Sequence, residues 1–195
     1  MPNPIQYNLF INFNGIVDAS TVGPLLFYIQ HYSRIINTPQ GEKKLKEIYL
    51  FINSGGGVLE FGNSIYGFIK TFPAGLSITT YNIGAVDSAA IPLFRIGKKR
   101  YALPDTRFLI HESTNQVSGE LKRIRDTVKC GDKSTEISAS IIANVCRKSQ
   151  KDVEKDIASH KLFNPLEAKE YGLIDDIVVF LPTPRSEDEV IHISK

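Results

Sequence analysis

Apolar residues along this chain switch repeatedly between the spacing of a strand and the spacing of a helix. Short continuous apolar runs are typical of strands buried on both faces, and apolar positions three or four apart are typical of helices with one buried face. The predicted strands are Tyr7–Phe13, Ile48–Ile52, Leu76–Tyr81, Arg100–Leu103 and Arg107–His111, and the predicted helices are Thr21–Tyr32, Val58–Ile69 and Ser88–Ile96. The charged segment Gly41–Lys46 is predicted to be a loop. This alternation predicts βαβ crossovers and a largely parallel sheet.

The pattern changes at Gly119, where a long and mostly polar helix is predicted. Its first turns carry a narrow apolar stripe that includes Leu121 and Val128, Gly131 interrupts the helix, and a broader apolar face then follows. Such a helix is expected to project from the domain before it docks on it, with a solvated surface helix as the alternative.

The remaining segments complete a single predicted domain over residues 1–181. They comprise a helix at Lys151–Ser159, a turn of helix at Pro165–Tyr171 and a strand at Ile177–Phe180. The polar, proline-bearing tail 182–195 is expected to be peripheral.

Composition excludes some classes of function but does not identify one. The 195 residues suffice for one well-cored domain, and a net charge of +2 gives no strong field to attract nucleic acid or a membrane surface. Cys130 and Cys146 lack metal-site spacing and the density of a secreted scaffold, so we interpret them as free thiols in a reducing compartment. Neither a signal-peptide pattern nor a run of about 18 apolar residues occurs, so a cytoplasmic protein is expected.

The candidate chemistry begins with Ser88, which lies among small residues just after a predicted strand. A serine hydroxyl becomes a useful nucleophile where the backbone is compact and nearby N–H groups point at the attacked carbonyl. Two other segments support this interpretation: Asn53–Gly57, which follows an earlier strand, and His111, which ends a later one. The alternatives are a serine in tight helix packing and a histidine that is merely hydrogen-bonded at a strand end.

Four motifs in order resemble the Clp protease proteolytic subunit family. They are Ile52–Val58 with its three glycines, the segment around Ser88, the strand Leu103–His111, and the closing segment Glu167–Asp175. The resemblance covers about residues 7–179. It implies the ClpP/crotonase fold, an α/β fold of repeated ββα units with a protruding handle helix, here about residues 119–146, and assembly into oligomeric rings that could stack.

The resemblance also implies the role of each residue in the site. Ser88 would be the nucleophile and His111 the general base, as in a serine protease triad. The oxyanion would be held by the backbone N–H groups of Gly57 and Ala89, and the loop at Gly55 and Gly56 would align a substrate strand. No metal and no organic cofactor is expected.

The sequence departs from the family pattern at the third member of the triad. Counted back from Glu167 and Ala168, the position of the family's aspartate is His160. A neutral imidazole can accept the N–H of His111 but lacks a full negative charge, so a slower Ser–His–His site is expected. Asp156, one helical turn upstream, is the alternative third member. Asp87, directly before Ser88, replaces a small apolar residue and is expected to face away from the oxyanion or to be paired.

Three functions follow from the sequence as hypotheses. The first is a serine endopeptidase that cuts peptides or unfolded segments inside a ring. The second is a catalytically inactive subunit or scaffold, and the third is a crotonase-type acyl-CoA enzyme. The first predicted strand begins within about ten residues of Met1, so the segment that forms axial gating loops in ATPase-dependent members is expected to be missing. That expectation counts against a Clp-type ATPase partner.

Overall fold

The computed structural model describes residues 5–36, 43–72, 76–114, 117–146 and 148–195. The strands are β1 (Ile5–Asn14), β2 (Lys43–Ser54), β3 (Ile78–Asp87), β4 (Lys99–Ala102), β5 (Arg107–Ile110), β6 (Lys161–Phe163), β7 (Asp176–Ile177) and β8 (Glu189–Ser194). The helices are α1 (Ala19–Ile36), α2 (Leu59–Ile69), α3 (Ala90–Phe94), α4 (Leu121–Cys146), α5 (Gln150–Ala158) and α6 (Pro165–Tyr171).

One eight-stranded sheet organises the described chain. Its order is β6-β5-β3-β2-β1-β8, and β4 pairs with the first half of β3 and, on its other side, with β7. All pairs are parallel except β5 and β6, which are antiparallel. The main core lies between the helices and one sheet face, and Phe10, Phe51 and Tyr81 form a smaller cluster on the other. Because β2, β3 and β5 run in the same direction, their carboxyl ends meet at one edge, which is where ligands bind in open α/β sheets.

Three strands differ from the prediction because their pairing is long-range. The predicted loop Gly41–Lys46 is wrong from Lys43 onward, since β2 begins there and pairs with the start of β1; residues 41 and 42 lie outside the described chain. The third strand runs to Asp87 rather than Tyr81, because its first half pairs with β4 and its end pairs with β5. The last predicted strand shrinks to Asp176–Ile177, and Phe180 is exposed.

The tail also differs from the prediction. Residues 189–194 form β8, which pairs in parallel register with β1 from Leu9 to Asn14. The expectation of a peripheral tail is therefore wrong for this segment. Its alternating residues place Ile193 in the core, and the buried carboxylate of Asp188 accepts a 2.7 Å hydrogen bond from the Asn8 N–H.

Helix α4 continues through Gly131 without the predicted interruption. A helical glycine costs about 1 kcal/mol relative to alanine, but tertiary contacts can outweigh that cost. Gly131 lies where the helix docks, since Ser134 donates a 2.7 Å hydrogen bond to Glu60 of α2 and its carbonyl accepts one from Asn63. Before this point the helix is exposed, with Leu121 and Val128 largely accessible to solvent. This exposure fits both the predicted projecting segment and its alternative, a solvated surface helix.

Candidate active site

Ser88 is the first residue after β3, and its backbone is left-handed with a φ of 55°. Such a φ is uncommon for a residue other than glycine and is found more often at functional turns. The Ser88 N–H donates a 2.7 Å hydrogen bond to the carbonyl of Leu109 on β5. The turn is therefore fixed to the strand that leads into His111.

The glycine loop after β2 lies directly against this turn. Gly56 has a φ of 94°, and a Cβ built there would lie 2.7 Å from the Ser88 Cβ and 2.8 Å from the Asp87 carbonyl oxygen. A side chain at this position would collide with the nucleophile's own backbone, so only glycine permits the close approach. On the other side of the loop, the N–H of Val17 donates to the Gly56 carbonyl at 2.8 Å.

Two backbone donors of the turn and the loop are available for a ligand. In the described chain, no hydrogen bond is made by the N–H of Gly57 or by the N–H of Ala89, the residue that precedes α3. These are the groups that the family resemblance assigns to the oxyanion. A pair of free N–H groups beside a serine is the arrangement that stabilises a tetrahedral oxyanion.

His111 and His160 lie side by side. His111 follows β5, and His160 precedes β6, which pairs antiparallel with β5 next to it. The two ring centroids are 5.6 Å apart with the ring planes inclined by 40°. His160 has a left-handed backbone with a φ of 53°, and its ring is exposed.

Ser88 shares a cleft with His111, and His160 lies beside His111, but the three side chains do not form a hydrogen-bonded triad. Among the described residues, no hydrogen bond joins any two of these side chains. Catalytic hydrogen bonds are often long in ligand-free structures and tighten when substrate binds. Ser88 and His111 both line a cleft of about 350 Å³, together with Gly55 and Gly57 of the glycine loop.

The structure does not bring the alternative third member, Asp156, to His111. One carboxylate oxygen accepts a 2.8 Å hydrogen bond from Lys161, and the other accepts a 2.7 Å hydrogen bond from the Tyr171 hydroxyl. Burial alone would raise the pKa of Asp156, but these two hydrogen bonds outweigh it and hold the pKa below its usual value. Asp156 therefore links α5 to β6 and to α6.

Asp87 is paired, as the sequence predicted. Its side chain is buried, and its Oδ2 accepts hydrogen bonds of 3.2 and 2.9 Å from Nε and Nη2 of Arg107. This interaction raises the pKa of Arg107. The sequence did not identify Arg107 as the partner. The partner depends on the strand register that the structure shows, because Asp87 pairs with Leu109 and side chains two residues apart share a sheet face.

The described chain contains neither a cluster of metal-ligand side chains nor a helix that could span a membrane. Its His, Cys, Asp and Glu side chains form no group of three or more that could hold a metal ion. None of its helices combines the length and apolar character needed to cross a bilayer.

Comparison with known proteins gives a family match and a fold match. The sequence model of the Clp protease family matches residues 31–180. The chain is 33% identical to ATP-dependent Clp protease proteolytic subunit 1 of Rhodopirellula baltica, over 77% of this chain and 65% of that protein. It is 35% identical to the chloroplastic subunit 4 of Arabidopsis thaliana, over 68% of this chain and 46% of that protein.

A third relative and a solved structure complete the comparison. The chain is 32% identical to proteolytic subunit 2 of Corynebacterium efficiens, over 74% of this chain and 73% of that one. A ClpP1 mutant from Listeria monocytogenes superposes with a TM-score of 0.73 at 24% identity, covering 87% of this chain and 90% of that chain, which shows a shared fold. The chain thus spans about two thirds and about half of the length of the first two relatives.

Proposed function

Because the chain belongs to the Clp protease family, we propose that it is a serine peptidase that hydrolyses peptides or unfolded protein segments inside an oligomer. The observation that carries this proposal is the geometry around one cleft. Ser88, on a left-handed turn, lines it together with His111, and the ring of His160 lies beside that of His111. The family match favours this function over that of a crotonase-type acyl-CoA enzyme.

The proposed reaction begins with attack of the Ser88 Oγ on the scissile carbonyl carbon. His111 takes the serine proton, and the N–H groups of Gly57 and Ala89 hold the oxyanion. Collapse of the tetrahedral intermediate breaks the C–N bond, and His111 protonates the departing amine. Water then attacks the acyl-serine ester, with His111 taking a proton from the water. The bond between the acyl carbon and the Ser88 Oγ breaks, His111 returns the proton to the serine oxygen, and the carboxylic acid product leaves.

His160 is proposed to orient His111 rather than to react. A neutral His160 can accept the second N–H of His111 and fix its tautomer, and it contributes no full negative charge to the imidazolium that forms. We therefore expect slow turnover compared with a site that has a carboxylate in this position.

The substrate class follows from the shape of the cleft. Besides the cleft, Ser88 and His111 line a small recess whose other walls include Leu59, Ile91 and Ile142. This recess has a volume of about 10 Å³ and admits no more than a water-sized group. The substrate would therefore lie in the larger cleft of about 350 Å³, and short extended peptides are the proposed substrates. Short peptides can reach the cleft without being unfolded by an ATPase.

The oligomer is proposed from the exposed apolar residues of the handle. Leu121 is 71% exposed and Val128 is 54% exposed on the segment of α4 that projects from the domain. Burial of such residues between copies favours association, and self-association into rings would do this symmetrically. Light scattering should therefore give a mass well above the 21.8 kDa of one chain; a monomer at micromolar concentration would contradict this part of the proposal.

A fluorophosphonate probe tests the proposed nucleophile. An activated Ser88 attacks phosphorus and expels fluoride, so the wild type should label and Ser88→Ala should not. Ser113→Ala is the matched control because Ser113 lines the same cleft, and this variant should label like the wild type. The competing function is an inactive scaffold, which is favoured by the lack of a hydrogen-bonded triad. A folded, assembled wild type that neither labels nor cleaves peptide would establish the scaffold instead.

A further inference from the structure

A second cavity, which we call the Arg95 pocket, lies between the C-terminal ends of α2 and α3 and the start of β3. Its volume is about 410 Å³, which is within the usual range for small-molecule sites. Lys70, Arg95 and Lys98 contribute its charged groups. None of the residues that line it also lines the cleft at Ser88, so it is separate from the candidate active site.

Arg95 is a buried cation that lacks a negative partner. Only 4% of the residue is exposed, and no salt bridge to it occurs within the described chain, although the nearby Arg100 is paired with Asp175. Its Nη1 donates to the Leu173 carbonyl at 3.2 Å, and its Nε is buried with no hydrogen-bond partner. Burial, with the charge of Arg100 as a smaller cause, lowers the pKa of Arg95 to about 10.

An unpaired buried charge raises the free energy of the folded protein, and an anion that binds to it offsets this increase. The remaining edge of the Arg95 guanidinium is the one formed by Nε and Nη2. Two parallel N–H donors on one edge match the two oxygens of a carboxylate. Lys70 and Lys98 add positive charge, and the lining includes no acidic side chain.

The rest of the lining favours a ligand in which the carboxylate is attached to an apolar chain. Apart from the three cations, the walls are formed by apolar and aromatic side chains, among them Ile69, Phe72 and Ile78. The Lys70 ammonium lies 4.4 Å from the centroid of the Tyr66 ring, a cation–π contact that keeps it beside the pocket. Burial of a hydrocarbon chain against these walls is favourable in proportion to its apolar area.

We propose that the Arg95 pocket binds a small amphipathic carboxylate, with the carboxylate on the Nε edge of Arg95 and the apolar chain against the walls. This ligand site is independent of the peptidase function proposed above. If another group occupied the pocket, such as the carboxylate of a second copy of the chain, decanoate could not bind there. The binding experiment therefore distinguishes these cases.

Isothermal titration calorimetry tests the proposal with decanoate, used below the concentration at which it forms micelles. Decanol and acetate then separate the contribution of the carboxylate from that of the apolar chain. Decanoate should bind the full chain at low ionic strength. Decanol has the same chain without the charge and should bind at least about tenfold more weakly, since a hydrogen bond to a charged group contributes about 1.5–3 kcal/mol. Acetate, the head alone, should give no measurable heat. Absence of decanoate binding, or equal binding of decanol, would overturn the proposal.

Single substitutions test whether decanoate binds in the Arg95 pocket. Arg95→Met should weaken decanoate binding by about 10- to 100-fold while the circular dichroism spectrum stays that of the wild type. If this buried substitution prevents folding, Lys98→Glu decides the question. Lys98 is exposed, so the variant should fold and bind decanoate several-fold more weakly, whereas Lys122→Glu on the exposed part of α4 should bind like the wild type. Unchanged affinity in folded Arg95→Met, or in Lys98→Glu, would refute the assignment.

Discussion

Replacement of His160 by aspartate should accelerate peptide hydrolysis. The proposed site lacks a negative charge beside the imidazolium that forms on His111 in the transition state. The ring centroids of the two histidines are 5.6 Å apart, so a carboxylate at His160 would lie at about that distance from the new positive charge. The left-handed backbone at this position, with a φ of 53°, also suits aspartate, which tolerates that region better than most residues.

The magnitude follows from Coulomb's law. Two unit charges at this separation attract by about 3 kcal/mol at an effective dielectric constant near 20, and by about half that where solvent doubles the constant. Because His160 is exposed to solvent, which raises the effective dielectric constant, we take the two energies as the limits of the expected effect. They correspond to a gain of roughly 10- to 100-fold in kcat/KM. This is smaller than the roughly 10⁴-fold effect of losing the aspartate in another serine protease, since the histidine already fixes the tautomer.

The assay is the hydrolysis of a short fluorogenic peptide. His160→Asn is the matched control because it has the shape of aspartate without the charge, and it should show no gain. Ser88→Ala gives the background rate. If His160→Asp is no faster than His160→Asn while Ser88→Ala abolishes a measurable wild-type rate, the electrostatic reasoning is wrong and the site does not lack a charge.

Three further predictions concern the supports of the site and of the sheet. Gly56→Ala should abolish peptide hydrolysis because its Cβ would collide with Ser88, whereas Gly67→Ala on α2, away from the cleft and with nothing within 4 Å of the added Cβ, should retain it. Arg107→Met should destabilise the fold by about 2–4 kcal/mol in denaturant titrations, since it leaves Asp87 buried and unpaired, and Asp87→Ala should cost less. Asp188 has a pKa lowered to about 2, so its stabilisation, about 1–2 kcal/mol after allowance for screening, is complete above about pH 4. The unfolding free energies of wild type and Asp188→Asn should therefore differ at pH 7 and converge towards pH 2.

Local pattern was enough to predict most of the sheet and all of the described helices. Strands β1 and β2 have continuous apolar runs, and α6 begins and ends at the predicted residues because Asn164 and Glu167 form a capping box and Gly172 ends the helix. What the pattern missed depends on partners far away in the chain. The polar start of β2 and the polar residues of β8 become strands only because β1 lies between them.

The candidate active site shows the same difference between what local sequence indicates and what depends on distant partners. The resemblance to the Clp protease family indicates Ser88, His111 and the glycine loop as site residues, and the structure brings them to one cleft. The pairing of Asp87 with Arg107 could not be placed, since it depends on the register between β3 and β5. The Arg95 pocket was also missed, because nothing in the local sequence indicates that this arginine is buried without a carboxylate.

The pairing of β8 with β1 has a consequence for the order in which the sheet assembles. The two strands are about 180 residues apart in the chain, so closing that loop is entropically costly and cannot occur until nearly all of the chain is present. Strand β1 can pair with β2 beforehand, since the two are much nearer in sequence. Strand β8 is therefore expected to join last and to detach first, and its amide hydrogens should exchange with solvent while those of β1 and β2 remain protected.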